Sequence, residues 1–391
     1  MLFRSTIDTV AIVTSLTFLG MFFGATCGGA LADRIGRKKA LIVATAWYSG
    51  FSLINALVEN VHELAAVRFL TGIGLSAMTS VAITYVAEIF PAKSRGRFQA
   101  TVLMIGLLGI PAAAFVARFA IPIADWGWRL VFVWGGLGIA FPFLAHRLEE
   151  SPRWLEQRGR HADSDAVLDR LEAIAQREKG PLPPLYPVAP VVSDAHAFRH
   201  LFSPENRGRT FLFAITWMTQ TLGYYGFSSW VPTLLVAHGF SMVSSLAWSS
   251  AMQIGGVPGA LLAAAISDKV QRKWALVITA IIIAVCGLAY GLTFNAFYIV
   301  FFGFCVAMFF QTFAPIVYAY TAEGFPTGIR SAGVGFTYGM GRLANVFGPL
   351  LIAYLYSNYG YQSVFVYIAV CWTILALIVT LFGPATKGKA L

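Results

Sequence analysis

The sequence predicts an all-α, polytopic membrane protein built as two parallel helical repeats, and three observations predict it. Of 391 residues, 58% are hydrophobic, 15% aromatic and only 12% charged, with a mean hydropathy of +0.70, whereas soluble chains are about 25% charged. Many apolar runs are long enough to cross about 30 Å of hydrocarbon as helices. One charged phrase is also written twice: Ala-Glu-Ile-Phe-Pro-Ala-Lys-Ser-Arg-Gly at 87–96 returns as Ala-Glu-Gly-Phe-Pro-Thr-Gly-Ile-Arg-Ser at 322–331.

In order along the chain, the apolar runs lie near 8–32, 40–58, 64–87, 98–122, 129–147, 210–235, 246–267, 274–294, 297–321, 332–355 and 361–383, about eleven spans. Connections are short except at 148–209, which holds Glu149, Glu150, Arg153, Glu156, Arg158 and Arg160 and then Pro-Leu-Pro-Pro-Leu-Tyr-Pro. The chain therefore divides into an N-terminal bundle at 1–147, a polar linker at 148–209 and a C-terminal bundle at 210–391. In the linker, Ser151 and Pro152 suit a helix start. Ala166, Leu168, Leu171 and Ile174, with charges between them, predict an amphipathic helix from near Ser164 that lies under the bundle. Residues 180–195 read equally well as a solvated tether.

The net charge of +10 raises the possibility of a nucleic-acid partner, so the placement of the charges decides. Lys and Arg gather in alternate loops (Arg34 to Lys39, Lys93 to Arg97, the linker, Lys269 to Lys273, Arg330, Lys387 and Lys389), while the other loops hold mainly Glu59, His62, Glu63, Asp125 and His238. This positive-inside pattern puts the linker and the C-terminus in the cytoplasm, and it excludes nucleic acid as the reason for the basicity. Cys27, Cys286, Cys305 and Cys371 fall within apolar spans without metal-like spacing and read as small core residues. The first apolar run leads directly into further spans, so no cleavable signal is expected.

The step from 87 to 322 that maps one charged phrase onto the other also carries Asp33-Arg34-Ile35-Gly36-Arg37-Lys38 onto Asp268-Lys269-Val270-Gln271-Arg272-Lys273. Two loops agreeing on one step point to duplication. Parallel repeats place a substrate site near the bilayer midplane, between halves that rock against each other.

These residues also carry a family resemblance. Gly29-Ala30-Leu31-Ala32-Asp33-Arg34-Ile35-Gly36-Arg37-Lys38-Lys39 resembles the loop signature between the second and third helices of the major facilitator superfamily, and Arg68 with Gly72 and Gly74 resembles its fourth-helix motif. Glu149-Glu150-Ser151-Pro152-Arg153-Trp154-Leu155 is similar to the signature shared by sugar porters and the related aromatic-acid, metabolite and organic-ion transporters, with Glu149 in place of the first proline. The resemblance covers nearly the whole chain. It implies a secondary active transporter that works by alternating access, coupled to protons and without metal or cofactor, as a monomer in a bacterial inner membrane. Moving the run at 210–235 back by the same step places its partner before Met1, so the first family helix is expected to be absent, through truncation or a start assigned too late.

Glu88 and Arg95 lie seven residues apart at a helix-loop corner, as do Glu323 and Arg330, and each corner faces a basic loop. Interhelical ion pairs can form there. With Asp33, Arg34, Arg37, Glu149, Arg153, Asp268 and Arg272, the resemblance makes these a network that latches the cytoplasmic gate and breaks when the cavity opens inward. Asp33 could also face the N-terminus of the helix starting near Ser331, where a carboxylate gains about 0.3–1 kcal/mol. The plainer alternative is topological anchoring at the headgroups, which requires Lys and Arg but not the paired glutamates.

Charges deep in a membrane are costly and are therefore candidates for function. Arg68 and Arg342 qualify, Arg118 is near enough to a helix end to snorkel, and no Asp, Glu or His falls near the middle of a span. Two deep cations without an anion predict an anionic substrate, and the guanidinium fork suits a carboxylate. For Arg68, bonding to backbone carbonyls between helices is the alternative. Gln220, Tyr224, Tyr225, Gln253, Gln311 and Asn345 fall at comparable depth and could line one pocket, although each alone could be a packing hydrogen bonder. Sugar porters carry a glutamine-rich seventh helix, and residues 218–227 keep only part of it, which favours organic acids over sugars. The expected solute is thus a small carboxylate of the aromatic-acid type; the alternatives are a sugar or other neutral or cationic solute, or a transport-inactive sensor or scaffold. An enzyme is disfavoured, because no phosphate-cradling loop, HExxH, GxSxG or metal cluster is present, and Gly72-Ile73-Gly74 lies inside a membrane span.

Overall fold

The computed structural model describes residues 7–90, 98, 101–102, 105–106, 108–180, 197–237, 239–266, 270–326 and 329–385. All regular structure among them is helical, as the composition predicts. The N-terminal block comprises α1 (Ile7–Ile35), α2 (Arg37–Asn55), α3 (Val61–Ile89), α4 (Gly109–Ala120) and α5 (Gly127–Gly136), which continues as shorter turns to Arg147. The linker contributes α6 (Pro152–Gln157) and α7 (His161–Lys179). The C-terminal block comprises α8 (Arg207–Ser228), α9 (Val231–Ala237), α10 (Met242–Gln253), α11 (Gly256–Ile266), α12 (Arg272–Leu292), α13 (Ala296–Gly324), α14 (Arg330–Tyr359) and α15 (Tyr361–Phe382).

Among the described residues, seven helical stretches are long and apolar enough to cross a membrane by length and composition. Of the other expected spans, the run at 98–122 begins among residues mostly outside the described set, with only its later part seen as α4 and the short turn after it. α2 begins with Arg37, Lys38 and Lys39, and α8 carries Gln220 and several threonines along its length. α14 carries Arg342 and Asn345 in its interior, which lowers its hydropathy at the positions where a carrier needs polarity.

The repeat is written into the packing. α1 crosses α3 so closely that a Cβ on Gly20 would meet the Phe69 carbonyl oxygen and one on Gly24 would meet that of Ile73. At the matching positions of the second repeat, Gly255 stands against the Phe304 carbonyl and Gly259 against that of Met308, where α10 and α11 cross α13. Without a hydrophobic drive between helices in lipid, small residues that let backbones approach become the determinant of packing. Gly255 also lies in the break between α10 and α11, within the run expected to be one helix.

One apolar core, with Trp230, Trp372, Tyr290, Phe313 and Leu276 fully buried, fills the C-terminal half. α1 joins the halves: Ala11 belongs to that core, and Phe18 sets its ring edge against Tyr225 at 4.7 Å. Further along, Ala32 packs instead with Ala40, Leu41 and Val81 of α2 and α3. Gly29 of α1 and Gly335 and Gly339 of α14 have nothing within 4 Å of where a side chain would stand.

Ser151 caps α6 by accepting from the Trp154 amide at 3.3 Å, with Pro152 at the first turn, as expected. α7 begins at His161 rather than near Ser164, and its packed stripe is Ser164, Val167 and Leu171 against Trp154 and Leu155. Ala166, Leu168 and Ile174 are exposed, a correction by one residue that follows from α7 packing on α6 rather than on the bundle. Cys27 is exposed rather than core, Cys286 and Cys305 are half-buried and Cys371 is buried; all are free thiols.

Candidate functional site

α8, α9, α10 and α13 line an open pocket. Its polar wall is Tyr224, Ser228, Ser249, Gln253 and Gln311, and Phe227, Phe310 and Met252 give it an apolar floor. The serine hydroxyls donate to their own helices, Ser228 to the Tyr224 carbonyl and Ser249 to the Ser245 carbonyl, each at 2.8 Å. Their lone pairs remain turned outward as acceptors. Neither the Gln253 nor the Gln311 amide bonds another described residue. Gly256 makes room for Gln311, since a Cβ there would stand 3.2 Å from its Cγ. Pro315 further removes the amide that would bond back to the Gln311 carbonyl, as Pro349 does for Asn345.

Beside this cavity lies a cation in an aromatic box. Arg342 donates from Nη1 to the Tyr225 hydroxyl at 2.8 Å and from Nε to the Tyr338 hydroxyl at 3.1 Å, with a further short bond from Nη2 to Tyr338. Its guanidinium stands 5.6 Å from the Tyr225 ring and 4.9 Å from the Tyr338 ring. Trp217 closes the box edge-on, 4.7 Å from Tyr318 and 5.2 Å from Tyr338. All of Arg342's observed partners are neutral hydroxyls and π faces. Tyr224 and Tyr225, edge to face at 4.9 Å, join the box to the cavity.

The candidate residues thus separate. Tyr224, Gln253 and Gln311 share the cavity, and Arg342 and Tyr225 form the box. Asn345 lies outside the cavity, buried in a smaller pocket between α1, α8 and α14 that it lines together with Tyr225, and its Nδ2 has no partner among the described residues. Gln220 lies outside the cavity wall, its amide oxygen accepting from the Thr221 hydroxyl at 3.2 Å. Arg68 stands in the other half, 5.8 Å from the Phe132 ring and away from both sites. Arg118 is exposed against Phe119, as a snorkelling residue would be. Sequence reasoning missed Tyr338, Tyr318, Ser228 and Ser249. Helical spacing could have found three of them, since Tyr338, Ser228 and Ser249 each lie four residues from a residue it singled out.

A second cluster ties the linker to the N-terminal half. Arg37 donates from Nε to Glu88 Oε2 and from Nη2 to Glu88 Oε1, both at 2.9 Å, and from Nη1 to Asp33 at 2.7 Å. Glu150 accepts from the backbone amides of Arg37, Lys38 and Ser151 at 2.8–3.0 Å, placing a carboxylate on the N-terminus of α2. Gly36 makes this possible, because at φ +99° it leaves the space that a Cβ would take from Glu150. Arg158 closes the C-terminus of α1 by donating to the Asp33 carbonyl at 2.7 Å and the Arg34 carbonyl at 3.3 Å, and Arg170 pairs with Glu149 at 3.0 Å.

The C-terminal half repeats one ion pair, Arg272 Nε to Glu323 Oε1 at 2.6 Å. Both glutamates therefore pair with the arginine that opens the preceding basic helix. Arg330 donates to the Phe325 carbonyl at 3.3 Å, while Arg95 and Asp268 lie outside the described residues. Asp33 is exposed and pairs with Arg37, four residues on. Arg34 and Arg153 are exposed, and among the described residues neither makes a side-chain ion pair.

A family profile described as sugar (and other) transporter matches residues 4–391. The chain is 44% identical over 385 residues to YyaJ of Bacillus subtilis (strain 168), which carries a provisional name as a metabolite transport protein, covering 98% of this chain and 85% of that one. It is 31% identical over 387 residues to the niacin transporter NiaP of Acinetobacter baylyi, covering 97% of this chain and 86% of that one. Among solved structures, the partially occluded inward-open conformation of the xylose transporter XylE from E. coli shares the fold with a TM-score of 0.75 at 22% identity, covering 98% of this chain and 89% of that one.

Proposed function

The chain belongs to the sugar (and other) transporter family of the major facilitator superfamily, and on that premise we propose that it moves a small organic carboxylate of the aromatic-acid type by alternating access. As a member of that family it is a multi-pass secondary transporter rather than an enzyme.

The observation that carries the carboxylate reading is the Arg342 fork, held by the Tyr225 and Tyr338 hydroxyls. A carboxylate entering the box replaces neutral hydroxyl acceptors with an anion that the guanidinium fork can bind bidentately, adding the attraction of opposite charges to geometry the arginine already has. The tyrosine O–H groups, no longer needed as acceptors, can then donate to the same carboxylate. Tyr318 and Tyr338, held by the buried Trp217, supply aromatic faces for a ring, and Tyr224, Gln253 and Gln311 supply polar contacts from the adjoining cavity. Niacin, the solute in the Acinetobacter relative's name, is a heteroaromatic carboxylic acid, which supports the same reading.

Proton symport completes the proposal on electrical grounds. Carrying one negative charge into a negative-inside cell costs about 2.3 kcal/mol per 100 mV, and a co-transported proton cancels that charge. The positive-inside pattern supports a linker and C-terminus on the cytoplasmic side of an inner membrane, and the Arg37–Glu88 and Arg272–Glu323 pairs would then brace the cytoplasmic gate.

The test is uptake of labelled nicotinate, benzoate and xylose into proteoliposomes under an imposed inward-directed proton gradient. Uptake of either acid, abolished by a protonophore, supports the proposal. Xylose uptake without acid uptake returns the sugar reading, and no uptake of any solute favours the sensor or scaffold.

A further inference from the structure

Asn345 is 1% exposed, and its Nδ2 has no hydrogen-bond partner among the described residues. A buried amide in that condition is costly and calls for an acceptor. Gly348 keeps room beside it, since a Cβ there would stand 3.1 Å from Asn345 Oδ1 and 3.0 Å from Leu222 Cδ2.

The pocket that Asn345 lines holds a second unmet donor. Tyr225, in the same lining, accepts at its hydroxyl oxygen from Arg342 Nη1 at 2.8 Å, while its own O–H has no acceptor among the described residues. Asn345 follows Arg342 by three residues on α14, so the two lie on one face of the helix. Tyr225 links them by bonding the guanidinium and lining the amide's pocket. The buried Trp230 and Ile352 make the wall behind apolar. Two free donors against an apolar wall, one helical turn from a guanidinium, suit an anionic oxygen.

α1 covers this pocket from the other half. It supplies Thr14, whose hydroxyl proton goes to the Val10 carbonyl at 2.7 Å, and Phe18, whose ring edge meets Tyr225 at 4.7 Å. A ligand oxygen seated here lies between elements of both halves.

Resting on the carboxylate reading of Arg342, we propose that this pocket is a second subsite for the same acid: a carboxylate held by the Arg342 fork also accepts from Asn345 Nδ2 and the Tyr225 hydroxyl. The four lone-pair sites of a carboxylate are enough for all of these donors. Asn345 is then a specificity residue, and α1 is the element whose position the bound acid senses.

The test is the dissociation constant for nicotinate and for benzoate, measured by titration calorimetry on the full chain in lipid nanodiscs. Asn345→Leu, which keeps the volume and removes the donor, should weaken the binding of both acids about tenfold, the effect of one hydrogen bond to a charged group. Asn345→Ala should do the same, and Arg342→Gln should abolish binding. A residue that only packs α14 against α1 would instead lower the ligand-free melting temperature and leave the dissociation constants where they were. Unchanged affinity in the Asn345 variants, with binding still lost in Arg342→Gln, overturns this subsite and leaves the carboxylate reading standing. No binding of either acid to the unaltered chain overturns both. If Asn345→Leu does not fold, Asn345→Ala decides.

Discussion

Arg37 lies 2.9 Å from Glu88, with side-chain exposures of 6% and 14%, and forms the more deeply buried of two ion pairs that the repeat sets at equivalent positions. Its counterpart, Arg272 with Glu323, is 18% and 36% exposed. Breaking a buried pair leaves an uncompensated charge and costs about 3–5 kcal/mol, whereas pairs nearer the surface are worth about 1 kcal/mol or less. Glu88→Gln should therefore lower the melting temperature in detergent several times more than Glu323→Gln. Equal shifts would show that burial does not set the strength of these pairs.

Ser151 is fully buried, caps α6 through the Trp154 amide and also donates to Glu88. Ser151→Ala should cost about 1–2 kcal/mol, the sum of a lost cap and an unmet acceptor. Arg153, two residues on, is exposed, and Arg153→Ala should shift stability by no more than about 0.5 kcal/mol. A loss at Arg153 as large as that at Ser151 would mean that the resemblance, and not this structure, describes its role.

Gly24 and Gly259 sit at equivalent crossings, where a Cβ would meet the carbonyls of Ile73 and Met308. Gly24→Ala and Gly259→Ala should each destabilise the chain by about 1–3 kcal/mol through overpacking. Gly29→Ala and Gly339→Ala, with nothing within 4 Å, should leave melting unchanged. Melting curves of the four variants in one detergent separate the pairs; a loss at Gly29 or Gly339 to match would contradict the open surroundings of those two glycines.

The repeat was legible in the sequence because charged loops are rare in so apolar a chain and each is therefore distinctive. The glycines that carry the same repeat into the packing were not, since a glycine in a membrane span reads as composition until the facing carbonyl is seen. α7 shows the limit of periodicity: its hydrophobic stripe was assigned one residue off, because Val167 and Leu168 are equally apolar and only contact with Trp154 and Leu155 chooses between them. Within the site, Tyr224, Gln253 and Gln311 stood out as polar residues at depth. Ser228 and Ser249 did not, because a serine bonded to its own helix costs little in a membrane and is common there. Arg342 was legible as a buried cation and Tyr225 was singled out beside it. Tyr318 reaches the box from another helix, a proximity that only the fold creates.

The central claim is that Arg342 selects an anionic substrate, and substrate-induced thermal stabilisation tests it most directly. Purified unaltered chain, Arg342→Lys and Arg342→Gln should be melted with and without nicotinate and with its uncharged amide, after control melts establish that each variant folds. Lysine keeps the charge but loses the fork that bonds Tyr225 and Tyr338, so its stabilisation by the acid should fall mildly, and glutamine, which loses both, should abolish it. The amide should stabilise none of the three appreciably. Equal stabilisation of the unaltered chain by the acid and the amide would contradict the account and return a neutral solute to first place.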